Sequence, residues 1–166
     1  MTTERDDLID VLDKQRGFLR HAVAGLTDEQ AATRTTASEL CLGGIVKHVT
    51  RVEQRWANFI VNGPGAIGTM DEAAYAAHAA SFRMEPSETL ADALARYDET
   101  AQQTERLIRS LPSLDVDHPL PEAPWFEPGA RWSARRALIH VLAETAQHSG
   151  HADILREALD GQKTMG

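Results

Sequence analysis

Apolar residues recur at three- and four-residue steps along four long stretches of the chain, the period of helices that each bury one face. The first stretch runs from about Arg5 to Leu26, with Leu8, Val11, Leu12, Leu19, Ala22, Val23 and Leu26 on one stripe. Thr27-Asp28-Glu29-Gln30 then carries the residues of a capping box and predicts a short extra turn. The second runs from about Leu42 to Val61 on the stripe Ile45, Val49, Val52, Trp56 and Phe59/Ile60, and stops at the breaker Asn62-Gly63-Pro64. The third begins after Pro86, with Ser87 as expected N-cap, and Leu90, Leu94, Tyr97, Ala101, Leu107 and Ile108 carry it to about Ser110. The fourth begins at Ser133, a second expected N-cap, and reaches about Leu159, with Gly161 as its stop. Period-2 alternation is missing over any useful length, so no sheet is expected.

Four amphipathic helices of this length predict an all-α four-helix bundle. Two long connections constrain it further. Residues 63–86 are enough chain to cross the whole bundle, because an extended residue spans up to about 3.3 Å and a 20-residue helix only about 30 Å. The second and third helices can therefore run parallel. Asp71–Ser81 within this crossover is Ala-rich and predicts a short helix. Residues 112–131 hold five of the seven prolines, so they predict an ordered extended loop, pinned to the bundle by Trp125 and Phe126.

Composition narrows the function classes. The 166 residues carry 17 Lys and Arg against 25 Asp and Glu, a formal charge of −8. With 42% hydrophobic and 25% charged residues, a single domain over residues 1–166 with a real core is expected. The acidic balance argues against nucleic acid, which needs a concentrated basic face. Neither a membrane-spanning run nor a signal peptide is visible. The lone cysteine, Cys41, excludes an intramolecular disulfide and fits a reducing cytoplasm. The seven histidines are what composition leaves unexplained.

Position begins to explain them. His48 shares the core-facing side of the second helix with Ile45 and Val52. His140, Glu144, His148 and His151 follow at steps of four, four and three on the last helix, so at about 100° per residue they occupy less than a quarter turn. Two imidazoles and one carboxylate, from His48, Glu144 and His148, would suit a divalent metal and leave it an open position. The plainer alternative is a hydrogen-bonded Glu144–His148 pair capped by His48. Spacing alone leaves both open.

The stretch from Leu138 to Glu157, LIHVLAETAQHSGHADILRE, resembles the last helix of the DinB/YfiT-like superfamily. It is most similar to the actinobacterial DUF664 branch, related to mycothiol-dependent maleylpyruvate isomerase. Gly43-Gly44-Ile45-Val46-Lys47-His48 resembles the first-ligand motif of the same family, and the resemblance extends over essentially the full chain. It implies a bundle in up-down-down-up order with a long crossover between the second and third helices. It also implies a divalent metal, zinc or nickel, on His48, Glu144 and His148, with His140 and His151 bordering the site. The implied activity is that of a thiol S-transferase: the metal holds mycothiol as its thiolate for attack on a small electrophile. The isomerase relative has a further C-terminal domain at its substrate site and this chain ends at Gly166, so isomerase specificity is not carried over.

Other readings stand beside this one. Water in place of thiol would make the same centre a hydrolase, and a non-catalytic metal-binding stress or interaction protein could use the same fold. A di-iron site would need more carboxylates than the stripe supplies. Cys41, two turns before His48, could approach the metal, although a small buried hydrophobe is the ordinary role. Trp56 and Trp132 are read as core or pocket wall. Arg51, Arg55, Arg131, Arg135 and Arg136 could meet a carboxylate-bearing substrate or simply face solvent. His21, His78 and His118 are expected at the surface or in packing. A homodimer would fit relatives that pair through helix faces.

Overall fold

Side-chain caps set most helix starts in the computed structural model, which describes residues 2–68 and 71–164. Helix α1 (Glu4–Val23) opens on a capping box: the Thr3 hydroxyl accepts from the Asp6 N–H and the Asp6 carboxylate accepts from the Thr3 N–H. Thr27 and Gln30 form the expected second box at the head of α2 (Asp28–Ala32). α3 spans Leu42–Asn62 and stops at Gly63, whose φ of 74° lies in the left-handed region. α4 (Glu72–Ala80) is capped by Asp71, and α5 (Leu90–Ser110) by Thr89. The expected cap at Ser87 falls in a turn closed by the Glu88 N–H on the Glu85 carbonyl, which delays the helix by two residues. α6 (Ala134–Asp160) starts at Ser133 and ends on Gly161 at φ 81°, as its sequence predicts.

Two apolar clusters fix the topology. One joins Leu19, Ala22 and Val23 at the end of α1 to Leu42 and Ile45 at the start of α3, Leu90 and Ala93 at the start of α5, and Ala152 and Leu155 late in α6. The other joins Ile9 and Leu12 to Trp56 and Phe59, Ile108, and Ala134 to Val141. The ends of α1 and α6 thus meet, as do the starts of α3 and α5: up-down-down-up. This is the all-α DinB-like bundle, and the crossover carries α4. Of that crossover, residues 69 and 70 lie outside the described residues. No described helix is long and apolar enough to cross a membrane.

Three local expectations change. Val11 faces outward at 42% exposure, while Arg16 takes an inward position on α1, paired with Glu53. A small antiparallel sheet is present: β1 (Asp117–Pro119) pairs with β2 (Arg131–Ser133) in the register Asp117 to Ser133. Three residues per strand are too few for alternation to appear in a sequence. The pair clamps both ends of the proline-rich loop. Within that loop Phe126 packs on the second cluster, whereas Trp125 is 52% exposed and pins nothing to the core.

A close backbone approach positions the site. The strap Phe82–Met84, following α4, lies directly on the first turn of α3. A Cβ on Gly44 would overlap the Phe82 carbonyl, and one on Gly43 would come within 2.7 Å of the Met84 side chain. Lys47 ties the strap down, donating to the Arg83 carbonyl at 2.6 Å and to Glu88 at 2.5 Å.

Candidate metal centre

His48 on α3 meets Glu144 and His148 on α6 where the two helices pack. His48 Nε2 is 3.8 Å and His148 Nε2 3.7 Å from Glu144 Oε2. The three donor atoms lie within 4.8 Å of one another. The two separations from Glu144 are too long for good hydrogen bonds but within the roughly 4 Å, twice the bond length of ~2 Å, that donors sharing one zinc can span. Among the described residues no other group of His, Cys, Asp and Glu side chains gathers in this way.

The surroundings orient both imidazoles. His48 Nδ1 is 3.1 Å from Ser81 Oγ, and the Ser81 hydroxyl donates its one proton to the His78 carbonyl at 2.6 Å. Ser81 can therefore only accept from His48. The ring must carry its proton on Nδ1, which leaves the Nε2 lone pair directed at Glu144. Phe82 stacks on the same ring at 3.8 Å between centroids, 20° from parallel. His148 Nδ1 lies 3.4 Å from His151 Nδ1, a contact that turns the Nε2 edge of the His148 ring toward Glu144. His140 Nε2 is 3.9 Å from Glu144 Oε1 and its ring meets the edges of Trp56 and Trp132.

The electrostatics favour a neutral His148 facing an ionised Glu144. Burial, reinforced by the neighbouring His48, pushes the His148 pKa down to about 4. Burial lowers that of His140 as well. The His48 ring facing it holds the Glu144 carboxyl below its ordinary range, with burial opposing and the neighbouring His140 and His148 rings helping. Two imidazole nitrogens and one anionic oxygen, backed by outer partners, form a donor set that fits a divalent cation.

A cavity of about 220 Å³ opens from this centre, with His48 and Glu144 in its wall. Trp56, Trp132, Arg55 and Ile67 line it too. His78, expected to be incidental, also lines it, 5.3 Å edge-on from the His48 ring. Ser81 and Phe82 are likewise beyond what the sequence reveals; the one available signal is the glycine pair Gly43-Gly44, which makes room for their strap. Cys41 stays apart, its buried thiol 3.6 Å from the Phe82 carbonyl. His118 packs on Phe59 and reaches the Ile60 carbonyl, and His21 is exposed. Of the arginines, Arg135 pairs with Glu4 and Asp115, Arg131 with Asp117, and Arg136 covers the Trp132 ring. Arg51 donates to the Ala77 carbonyl. Arg55 is thus the arginine in the cavity wall, donating to the Ile67 carbonyl at 3.1 Å.

Fold and site together define a helical-bundle protein with a His/Glu donor cluster at the floor of a cavity. The mycothiol S-transferase family model matches residues 7–161, and the chain belongs to that family. A crystal structure of a conserved protein from Enterococcus faecalis superposes with a TM-score of 0.65, at 13% identity, over 98% of this chain and 100% of that one; at this identity the likeness speaks to the fold alone. The search of curated proteins returned no match.

Proposed function

We propose that this protein joins mycothiol through its sulfur to a small electrophile at a divalent metal, zinc or nickel, held by His48, Glu144 and His148. The observation that carries this reading is the donor cluster at the floor of an accessible cavity in a chain of the mycothiol S-transferase family. A cation in this position supplies the charge that makes a thiol acidic enough to be anionic at neutral pH. The chain's own residues do the rest. Ser81 holds His48 in the tautomer that offers Nε2 inward, and His151 backs the His148 ring so that its Nε2 edge faces the same centre. Glu144 brings one negative charge, so the cluster binds a dication and keeps a net positive charge toward an incoming sulfur. In the transfer the sulfur electron pair forms the new carbon–sulfur bond. The leaving group departs with the pair of the bond it breaks, and the thiol proton passes to solvent. Such chemistry suits a reducing cytoplasm.

Metal analysis of protein purified without chelator tests the ligand set. The expected result is stoichiometric metal that each of His48→Ala, Glu144→Ala and His148→Ala abolishes, with loss of the reaction between mycothiol and 1-chloro-2,4-dinitrobenzene. Metal content indifferent to all three substitutions would overturn the assignment. Full metal with no rate above the uncatalysed one would favour a non-catalytic or hydrolytic role instead.

A further inference from the structure

All three tryptophans of the chain line the cavity that opens from the donor cluster. Trp56 and Trp132 stack at 4.6 Å, 20° from parallel. Phe126 stands edge-on to Trp132 at 5.8 Å, and Trp125 in turn edge-on to Phe126 at 6.1 Å. Trp56 comes from α3, Trp132 from β2 and the other two from the clamped loop, so three separate segments converge on the same aromatic wall. Val52, Ile67, Pro121 and Ala123 complete it with apolar surface. The polar groups sit in the same wall as His48, Glu144 and His140, with Arg55 beside them.

Trp125 is the informative member. An indole left 52% exposed gives up much of the burial that normally makes tryptophan worth its size. Its loop is held by the β1–β2 pair and stiffened by Pro119, Pro121, Pro124 and Pro128, so the ring is presented at the cavity by design of the backbone. Aromatic rings gain by edge or offset contact with a further flat ring. A cavity of about 150 Å³ already admits benzene, and this one measures about 220 Å³.

Building on the transferase reading, we infer that the electrophile is a planar aromatic molecule of one or two rings, bound against Trp125, Phe126 and the Trp56–Trp132 pair with its reactive carbon turned to the His48/Glu144 end. Compact aliphatic electrophiles lack the flat face this wall selects.

Two measurements test this on the full chain. First, 1,3-dinitrobenzene, an unreactive flat probe, is titrated into metal-free protein without thiol and followed by calorimetry and by tryptophan fluorescence. Saturable binding is expected, with quenching of most of the emission because every tryptophan faces the cavity. Trp125→Ala should weaken it about five- to tenfold, the worth of one aromatic contact plus its area, and Trp125→Phe should restore most of the loss. Second, kcat/KM with mycothiol is compared for 1-chloro-2,4-dinitrobenzene and iodoacetamide. Trp125→Ala should lower the ratio of the two by a similar factor, through KM for the aromatic one. Binding absent from the wild type, or a ratio that Trp125→Ala leaves unchanged, would overturn the aromatic site. Saturable, Trp125-dependent binding without turnover of either electrophile would leave the aromatic site standing and refute the transferase reading.

Discussion

Helix α3 carries two buried charged clusters only five residues apart, and they are built in opposite ways. Glu53 is fully enclosed and grips Arg16 with both oxygens, at 2.5 and 3.3 Å, while Arg16 also donates to Asp13 at 2.6 Å. Each acceptor there has a donor from the protein. At His48, Glu144 and His148 the three groups stand 3.7 to 3.8 Å apart from nearest neighbour to neighbour, each imidazole held from behind and none bonded across the centre. A buried charge cluster that saturates itself is a fastening between α1 and α3. One whose lone pairs converge without bonding leaves them for a guest, and its exposure follows suit: 28% for the Glu144 side chain against 1% for Glu53.

The sharpest way to break this contrast is to remove the carboxylate from each cluster in chelator-treated protein. Glu53→Ala strands the Arg16 charge in the core and should cost about 3–5 kcal/mol in urea unfolding. Glu144→Ala should cost under about 1 kcal/mol, because its carboxylate is half-buried without a saturated hydrogen-bond set to offset desolvation. Equal losses from both would erase the distinction. Next in size is Gly44→Ala, which forces the Phe82 backbone off α3 and should cost about 1–3 kcal/mol. Gly17→Ala, made where a Cβ meets nothing within 4 Å on α1, should instead stabilise by about 0.5–1 kcal/mol. Paired thermal melts read both signs at once.

Ser81→Ala probes the open cluster from behind. Without its hydroxyl the His48 tautomer is no longer fixed, and zinc affinity should fall about 10- to 100-fold in a chelator competition while the unfolding midpoint hardly moves. An unchanged affinity would reduce Ser81 to a packing residue. The smallest effect belongs to a third, solvated cluster. Arg135, bonding to each, holds the Glu4 and Asp115 carboxyls below their ordinary values. Carboxyls with depressed folded values contribute stability that is present above their unfolded values of about 4 and is lost as pH falls through the lower folded ones. Arg135→Gln should therefore lower the melting temperature slightly at neutral pH, and the gap should close well below about pH 4. A gap persisting in acid would mean Arg135 acts through packing.

The bundle and half of the site were legible before any coordinates. Four stripes of period 3.6, the box at Thr27, the cap at Ser133 and the stop at Gly161 are local signals, and the helices obey them. His140, Glu144, His148 and His151 are legible for the same reason: one helix carries them all. Ser81, Phe82 and His78 were not, because what brings them to His48 is a strap from a different segment lying on Gly44. In isolation a Gly-Gly pair opening a helix reads as a weakness of that helix, and only the tertiary contact turns it into a requirement. Val11 and Arg16 teach the same lesson in reverse: the α1 stripe is right in period, but a buried pair with Glu53 turns an arginine inward.

The clamp formed by β1 and β2 has a consequence for how such a protein can diversify. The loop between them leaves and returns at one spot, with Pro119 opposite Arg131, so it is a closed ring set on the bundle rather than a tether between distant helices. Lengthening or rewriting it enlarges the ring without pulling on α5 or α6, and loop-closure entropy charges little for added residues. Trp125 and Phe126 therefore ride on an interchangeable cassette, while His48, Glu144 and His148 belong to the chassis.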